Sequence, residues 1–266
     1  MDEELKKTIE KSGNTLHIET VNLLEKMGWK ATLSSYYYDD TANKPREIDI
    51  TAEINFPITG FSLTKVPDEL KLFLFIECKY FQDEVAFWMR LNKEEEAKEA
   101  MIIEAVRSVD KWDKELILEK EGLFREHHYL QERFIGKLYD SKNEKPIFDA
   151  ITQPIKALTF FKERRAEKGI YYPIVVYSGI EGIYAIKREN ADLDELEPKK
   201  RLIFGLDYSY KSVVDNKLKT QQFFIDFVHK KELGNFIEDS IWKEAEELKK
   251  YLAFRYKIET CQQSIE

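Results

Sequence analysis

Cysteine is scarce in this chain, with Cys78 and Cys261 the two among 266 residues. Two thiols make neither a disulfide framework nor a zinc-ribbon cluster, so both are expected to stay reduced. Long apolar runs are missing too. The longest, Leu72 to Ile76, falls far short of the roughly 20 residues that span a bilayer, and Met1 to Lys11 is charged rather than signal-like. A cytoplasmic location with no membrane partner is the expectation. Nor is there a surplus of positive charge, since 42 Lys and Arg against 50 Asp and Glu give a net charge of -8. That argues against a broadly basic surface and leaves only local grooves, for which Lys162, Arg164, Arg165 and Lys168, or Lys199, Lys200 and Arg201, are candidates. No His-Glu-x-x-His, phosphate-binding Gly-x-x-x-x-Gly-Lys or Gly-x-Ser-x-Gly occurs. His17-x-Glu19 matches one half of a zinc-deaminase signature whose Pro-Cys-x-x-Cys half is absent, and His127-His128 has no matching Cys/His set.

What the chain does have is 43% hydrophobic and 13% aromatic residues, enough apolar surface to offset the entropy of ordering. One domain, 1-266, is expected, with residues 81-145 as a helical insertion. Asn14 can cap a helix that Gly28 stops, with Leu16, Thr20, Leu24 and Met27 on its buried stripe and Glu19 on a partly apolar face. Strands follow at Trp29 to Tyr38 and Arg46 to Phe56. The second alternates strictly, with Ile48, Ile50, Ala52, Ile54 and Phe56 on one face and Glu47, Asp49, Thr51, Glu53 and Asn55 on the other. Pro57 to Pro67 reads as a connection. Phe81 to Asn143 has helical periods, above all Met101, Ala105, Val109, Trp112 and Leu116. Three roles fit this insertion: a lid, a clamp on substrate, or a surface for a homodimer or partner protein. Ile147 to Arg165 reads as a helix carrying Gln153 and Pro154. Strands are expected at Tyr171 to Tyr177, Gly182 to Lys187, Leu202 to Asp207 and Gln222 to Val228, and a last helix from Glu232 to Tyr256. This order defines a mixed α/β sheet flanked by helices.

The strand Leu70 to Lys79 carries the chemistry. It is an apolar run ending in Glu77-Cys78-Lys79, and because side chains alternate faces, Glu77 and Lys79 point the same way as Phe73 and Phe75. Five further Glu-x-Lys triplets, at Glu4, Glu69, Glu96, Glu197 and Glu247, lie in helical or turn-like contexts, so placement rather than the triplet is informative. Asp49 sits mid-strand, where aspartate has low β propensity and needs a reason to be. Mg²⁺ takes oxygen ligands at about 2.0-2.1 Å, typically one or two carboxylates with waters and phosphate oxygens. Asp49 and Glu77 on paired strands would supply two, the Cys78 carbonyl a third, and Lys79 would contact the attacking water.

A helix with Glu19, a strand with Asp49 and a strand ending Glu77-Cys78-Lys79 resembles the PD-(D/E)xK restriction-endonuclease-like nuclease superfamily over Asn14 to Lys79, and again over about Phe148 to Leu252, with the insertion outside the likeness. The residue before Asp49 is Ile48 rather than proline. The resemblance implies a restriction-endonuclease-like sheet and a Mg²⁺-dependent nuclease acting on nucleic acid, most directly DNA, with Mn²⁺ as a substitute ion. It makes Asp49 and Glu77 the metal ligands and Lys79 the catalytic lysine. Glu19 becomes the helix carboxylate reaching the ion through water, and Gln153 resembles a glutamine of several branches. The alternative is a catalytically silent binding or regulatory module on the same fold.

Overall fold

The computed structural model describes residues 14-40, 42-57, 69-104, 127-165, 169-187, 196-212 and 214-250. Within them lie α1 (Asn14–Lys26), β1 (Lys30–Asp39), β2 (Lys44–Pro57), β3 (Glu69–Tyr80), β4 (Val85–Leu91), α2 (Glu94–Ala100), β5 (Ile102–Glu104), α3 (His128–Gln131), β6 (Phe134–Ser141) and α4 (Glu144–Arg165). Then come β7 (Gly169–Ser178), β8 (Ile183–Lys187), β9 (Pro198–Lys199), β10 (Arg201–Lys211), β11 (Leu218–His229) and α5 (Leu233–Phe236). The α5 helix runs on through a wider turn at Ile237–Trp242 into helical residues 243-250.

The strands form one mixed sheet in the order β1-β2-β3-β7-β11-β10-β6-β4-β8-β9, with β5 paired to β7. β3 and β7, and β7 and β11, run parallel at its centre, while β1-β2, β2-β3 and β10-β11 are antiparallel. Both faces are covered, and the alternation of β3 shows how. Leu72, Leu74, Ile76 and Cys78 join the core beneath α1 and the C-terminal helical segment, and Phe73 and Phe75 join the core beneath α4. A strand covered on both faces reads as a continuous apolar run, which is why Leu72 to Ile76 shows no alternation of polarity. α1 buries Leu16, Thr20, Val21 and Leu24. It ends where Gly28 takes φ +87°, with Trp29 N-H donating back to the Leu24 carbonyl at 3.0 Å, a reversal that favours glycine.

Two expectations need correction. Residues 81-145 are not a helical insertion throughout, because β4 and β6 lie here and pair antiparallel inside the main sheet. Val85, Phe87 and Met89 are buried in alternation with more exposed neighbours. This seven-residue period of two is too short to stand out beside the Glu- and Lys-rich helical pattern that follows it. Most of the long helix expected from Met101 to Leu116 lies outside the described residues, as do Pro57 to Pro67 for the most part, Lys168, Cys261 and the end of the last helix. The second correction concerns β2. Ile50, Ala52, Ile54 and Phe56 face α1, but Ile48 enters the α4-side core, so the strand turns over at Asp49.

Candidate metal centre

The turnover at Asp49 builds the site. β1 and β2 keep one register, Leu33 opposite Ile50 and Ser35 opposite Ile48, and the intervening Ser34 adopts a left-handed φ of 55°. On the other edge the β2-β3 ladder runs from Pro57 opposite Glu69 to Ile50 opposite Ile76 and stops. β2 therefore parts from β3 where Asp49 and Glu77 would otherwise have paired. The Cys78 N-H, deprived of a strand acceptor there, donates to Asp49 Oδ2 at 2.8 Å. This fixes the carboxylate at the fork and answers why an aspartate stands mid-strand.

β3 continues past the fork beside β7, with Glu77 opposite Val175 and Lys79 opposite Tyr177. Glu77 is 3% exposed, and Lys79 Nζ lies 2.6 Å from its Oε1. Burial, reinforced by the nearby Asp49 charge, pushes the Glu77 carboxyl up to about 7 in spite of Lys79 and His17. Burial works against the Lys79 charge, but Glu77, with Asp49 and Asp149 behind it, holds the ammonium above its ordinary range. Burial and the neighbouring Asp49 thus make the Glu77 charge costly in this fork, the electrostatic condition that a bound cation relieves. The oxygen set they offer with the Cys78 carbonyl suits a hard divalent ion.

The structure therefore gathers Asp49, Glu77, Cys78 and Lys79 in one place. Gln153 of α4 is partly buried and accepts a hydrogen bond from Tyr37 Oη at 2.8 Å, while the Tyr37 phenol, raised mainly by burial, also feels the charges of Asp39 and Glu77. Glu19 points elsewhere, with a half-exposed carboxylate 2.9 Å from Lys230 Nζ. The α1 side chain that reaches the fork is His17, whose Nε2 lies 3.4 Å from Asp49 Oδ2. Its pKa is raised by the hydrogen bond to Asp49 against the pull of burial. Sequence reasoning gave His17 no role at this fork. The available signal was its position three residues before Thr20 and seven before Leu24, at the margin of the buried stripe.

A second polar cluster lies farther along the α1 face. His128 Nδ1 is 2.5 Å from Glu244 Oε1, and its Nε2 is 3.0 Å from Asp226 Oδ1. Tyr129 Oη donates to Asp226 and Tyr172 Oη to Glu244. Burial alone would discharge His128, but the two carboxylates push it up to about 10, and His127 and His128 hold buried Glu244 down at about 2. Ligand atoms of His127, His128 and Glu244 lie within 4.8 Å of one another, yet the geometry is poor for an ion. The two rings stack, 15° from parallel at 4.8 Å, so their in-plane lone pairs do not converge. His127 Nδ1 accepts the Tyr129 N-H, which leaves its proton on Nε2, and His128 is bonded at both nitrogens. This is a clamp joining α3, β7, β11 and the C-terminal helical segment, with an imidazolium at its centre.

Comparison with protein-family models, with curated proteins and with solved structures finds no match for this chain. The class that fold and site define is accordingly a mixed α/β protein with a candidate metal-binding fork at the end of a central strand. Among the described residues no helix is long and apolar enough to cross a membrane.

Proposed function

We propose that the chain is a metal-dependent nuclease with a restriction-endonuclease-like fold, hydrolysing phosphodiester bonds, most directly in DNA. The observation that carries this reading is the fork itself, where β2 leaves β3 at Asp49 and Glu77 while Lys79 stays on the Glu77 side. Asp49, Glu77 and the Cys78 carbonyl would hold Mg²⁺, with Mn²⁺ as a substitute. Bound there, the ion supplies a Lewis acid for phosphate oxygens and a water of lowered pKa.

The protein groups do the rest. Asp49 is held in place by the Cys78 N-H and by His17. Glu77 would release to solvent the proton that burial lets it retain near neutrality. With its charge shared with the ion it would hold Lys79 less tightly than in the present close pair, leaving that ammonium to orient the attacking water and meet phosphate charge. Gln153 and Tyr37 form the α4-side wall. Glu19, the helix carboxylate assigned by resemblance, would have to release Lys230 before contacting the ion through water.

A polyanion as partner fits the same end of the sheet. Lys79 pairs across to Tyr177, and Tyr177 to His229. His229 is depressed by burial and then by the charges of Lys231, Lys200 and Lys230, so three lysines lie near it, two strands away from Lys79, with Lys230 paired to Glu19 and Lys200 to Glu232, in a chain of net charge -8. Nonspecific affinity for nucleic acid comes from such phosphate contacts.

The test is incubation of purified protein with DNA and RNA panels and Mg²⁺ or Mn²⁺, beside Asp49→Ala and Lys79→Ala. Metal-dependent cleavage by the wild type alone supports the assignment, and equal cleavage by all three proteins would sink it.

A further inference from the structure

We infer that His17, Asp49 and the Cys78 thiol form a second, soft-metal site on the α1 side of the fork, selective for Zn²⁺ and sharing Asp49 with the hard-ion site. The inference stands whether or not the chain cleaves nucleic acid.

Alternation along β3 separates the two donor sets. Glu77 and Lys79 project toward α4, and Cys78 projects toward α1 with Leu74 and Ile76. Asp49 stands at the residue where β2 turns over, and it meets both sides. Its charge is felt at Glu77, while its carboxylate, a ring nitrogen of His17 and the Cys78 sulfur all lie within 4.8 Å of one another. A tetrahedral zinc with bonds of about 2.0-2.3 Å holds its ligand atoms roughly 3.3-3.8 Å apart. His17 Nε2 and Asp49 Oδ2, at 3.4 Å, already have that spacing, so the sulfur has only part of the remaining gap to close.

Chemistry sets the preference. Imidazole nitrogen and thiolate sulfur favour zinc and other borderline-soft ions, whereas Mg²⁺ takes oxygen. His17 and Asp49 are both partly exposed, which leaves an entry path and a fourth position for water. Thr20 Oγ1, 4.0 Å from the sulfur, stands behind it as a supporting hydroxyl. On binding, the Cys78 thiol proton and any proton on the His17 nitrogen pass to solvent, so uptake of the ion is favoured by higher pH.

Co²⁺ titration of the full chain tests this directly, because a cobalt-thiolate bond gives a near-ultraviolet charge-transfer band that oxygen and nitrogen ligands do not. The expected result is a band that saturates at one equivalent, is erased by Zn²⁺, survives Cys261→Ser and is lost in Cys78→Ser. His17→Asn, at a partly exposed helix position where folding is not at stake, should weaken Zn²⁺ binding beyond the roughly 10-100-fold cost of losing an outer-shell group, with an unchanged circular dichroism spectrum. Absence of the band, its persistence in Cys78→Ser, or unaltered affinity in His17→Asn would each overturn the site.

Discussion

Replacing Glu77 with glutamine should make the metal-free protein more stable, because the fork holds this carboxylate at a cost. The folded carboxyl titrates at about 7 against an ordinary 4.5, chiefly because it is buried. At about 1.4 kcal/mol per pH unit, the difference amounts to about 3 kcal/mol. The sign follows from proton binding. Between pH 4.5 and 7 folded Glu77 keeps a proton that the unfolded chain releases, so wild-type stability falls as pH rises through this window and levels off above it. Glutamine keeps an acceptor for Lys79 and never ionises, so it escapes the loss. Urea denaturation in a chelator should show Glu77→Gln about 3 kcal/mol more stable than wild type at pH 8 and within about 1 kcal/mol of it at pH 4.5. Added Mg²⁺ should narrow the pH 8 gap by stabilising the wild type alone. A variant no more stable than wild type at pH 8 would refute the claim that function and stability conflict at this position.

The other expectations concern binding and the frame. Mg²⁺ binding should release close to one proton at pH 6 and almost none at pH 8, because Glu77 must deprotonate to ligate; calorimetry in buffers of different ionisation enthalpy measures this, and pH-independent release would contradict it. His128→Ala removes the cation between buried Asp226 and Glu244, so a loss of about 3-5 kcal/mol is expected in denaturation, and a loss below about 1 kcal/mol would show the clamp to be dispensable. Since folded His128 titrates at about 10 rather than 6.5, its contribution is complete below pH 6.5 and drains away as pH rises through 10. Gly179→Ala should cost more than about 1 kcal/mol, because Gly179 has φ +94° and a Cβ there would lie 2.1 Å from the Phe81 carbonyl oxygen.

The parts of this molecule legible in the sequence are those whose pattern is local. The central strand showed as an apolar run, α1 as an amphipathic stripe stopped by Gly28, and β7, β8, β10 and β11 as β-branched and aromatic segments. β4 and β6 were hidden because two short strands in a charge-rich stretch lack the length to declare a period, and their pairing with β8 and β10 is set by tertiary contacts. At the fork, the proximity of Asp49 to Glu77-Cys78-Lys79 could be anticipated from strand adjacency. The turnover could not, since Ile48 and Ile50 are both apolar and a strand crossing from one core to the other leaves no mark in binary patterning. The same limit applies to α1. His17 and Glu19 stand two residues apart, so on a helix they point about 160° from one another, and periodicity alone does not say which of them meets the fork; Glu19 pairs with Lys230 instead, more than two hundred residues away in sequence.

On the proposed function, Asp49 and Glu77 converge on one hard divalent ion with Lys79 beside rather than in its coordination. Calorimetric titration of Mg²⁺ into wild type, Asp49→Asn and Lys79→Gln tests it most directly. The expected result is a single site in wild type and Lys79→Gln and no binding in Asp49→Asn. Equal binding by wild type and Asp49→Asn would contradict it.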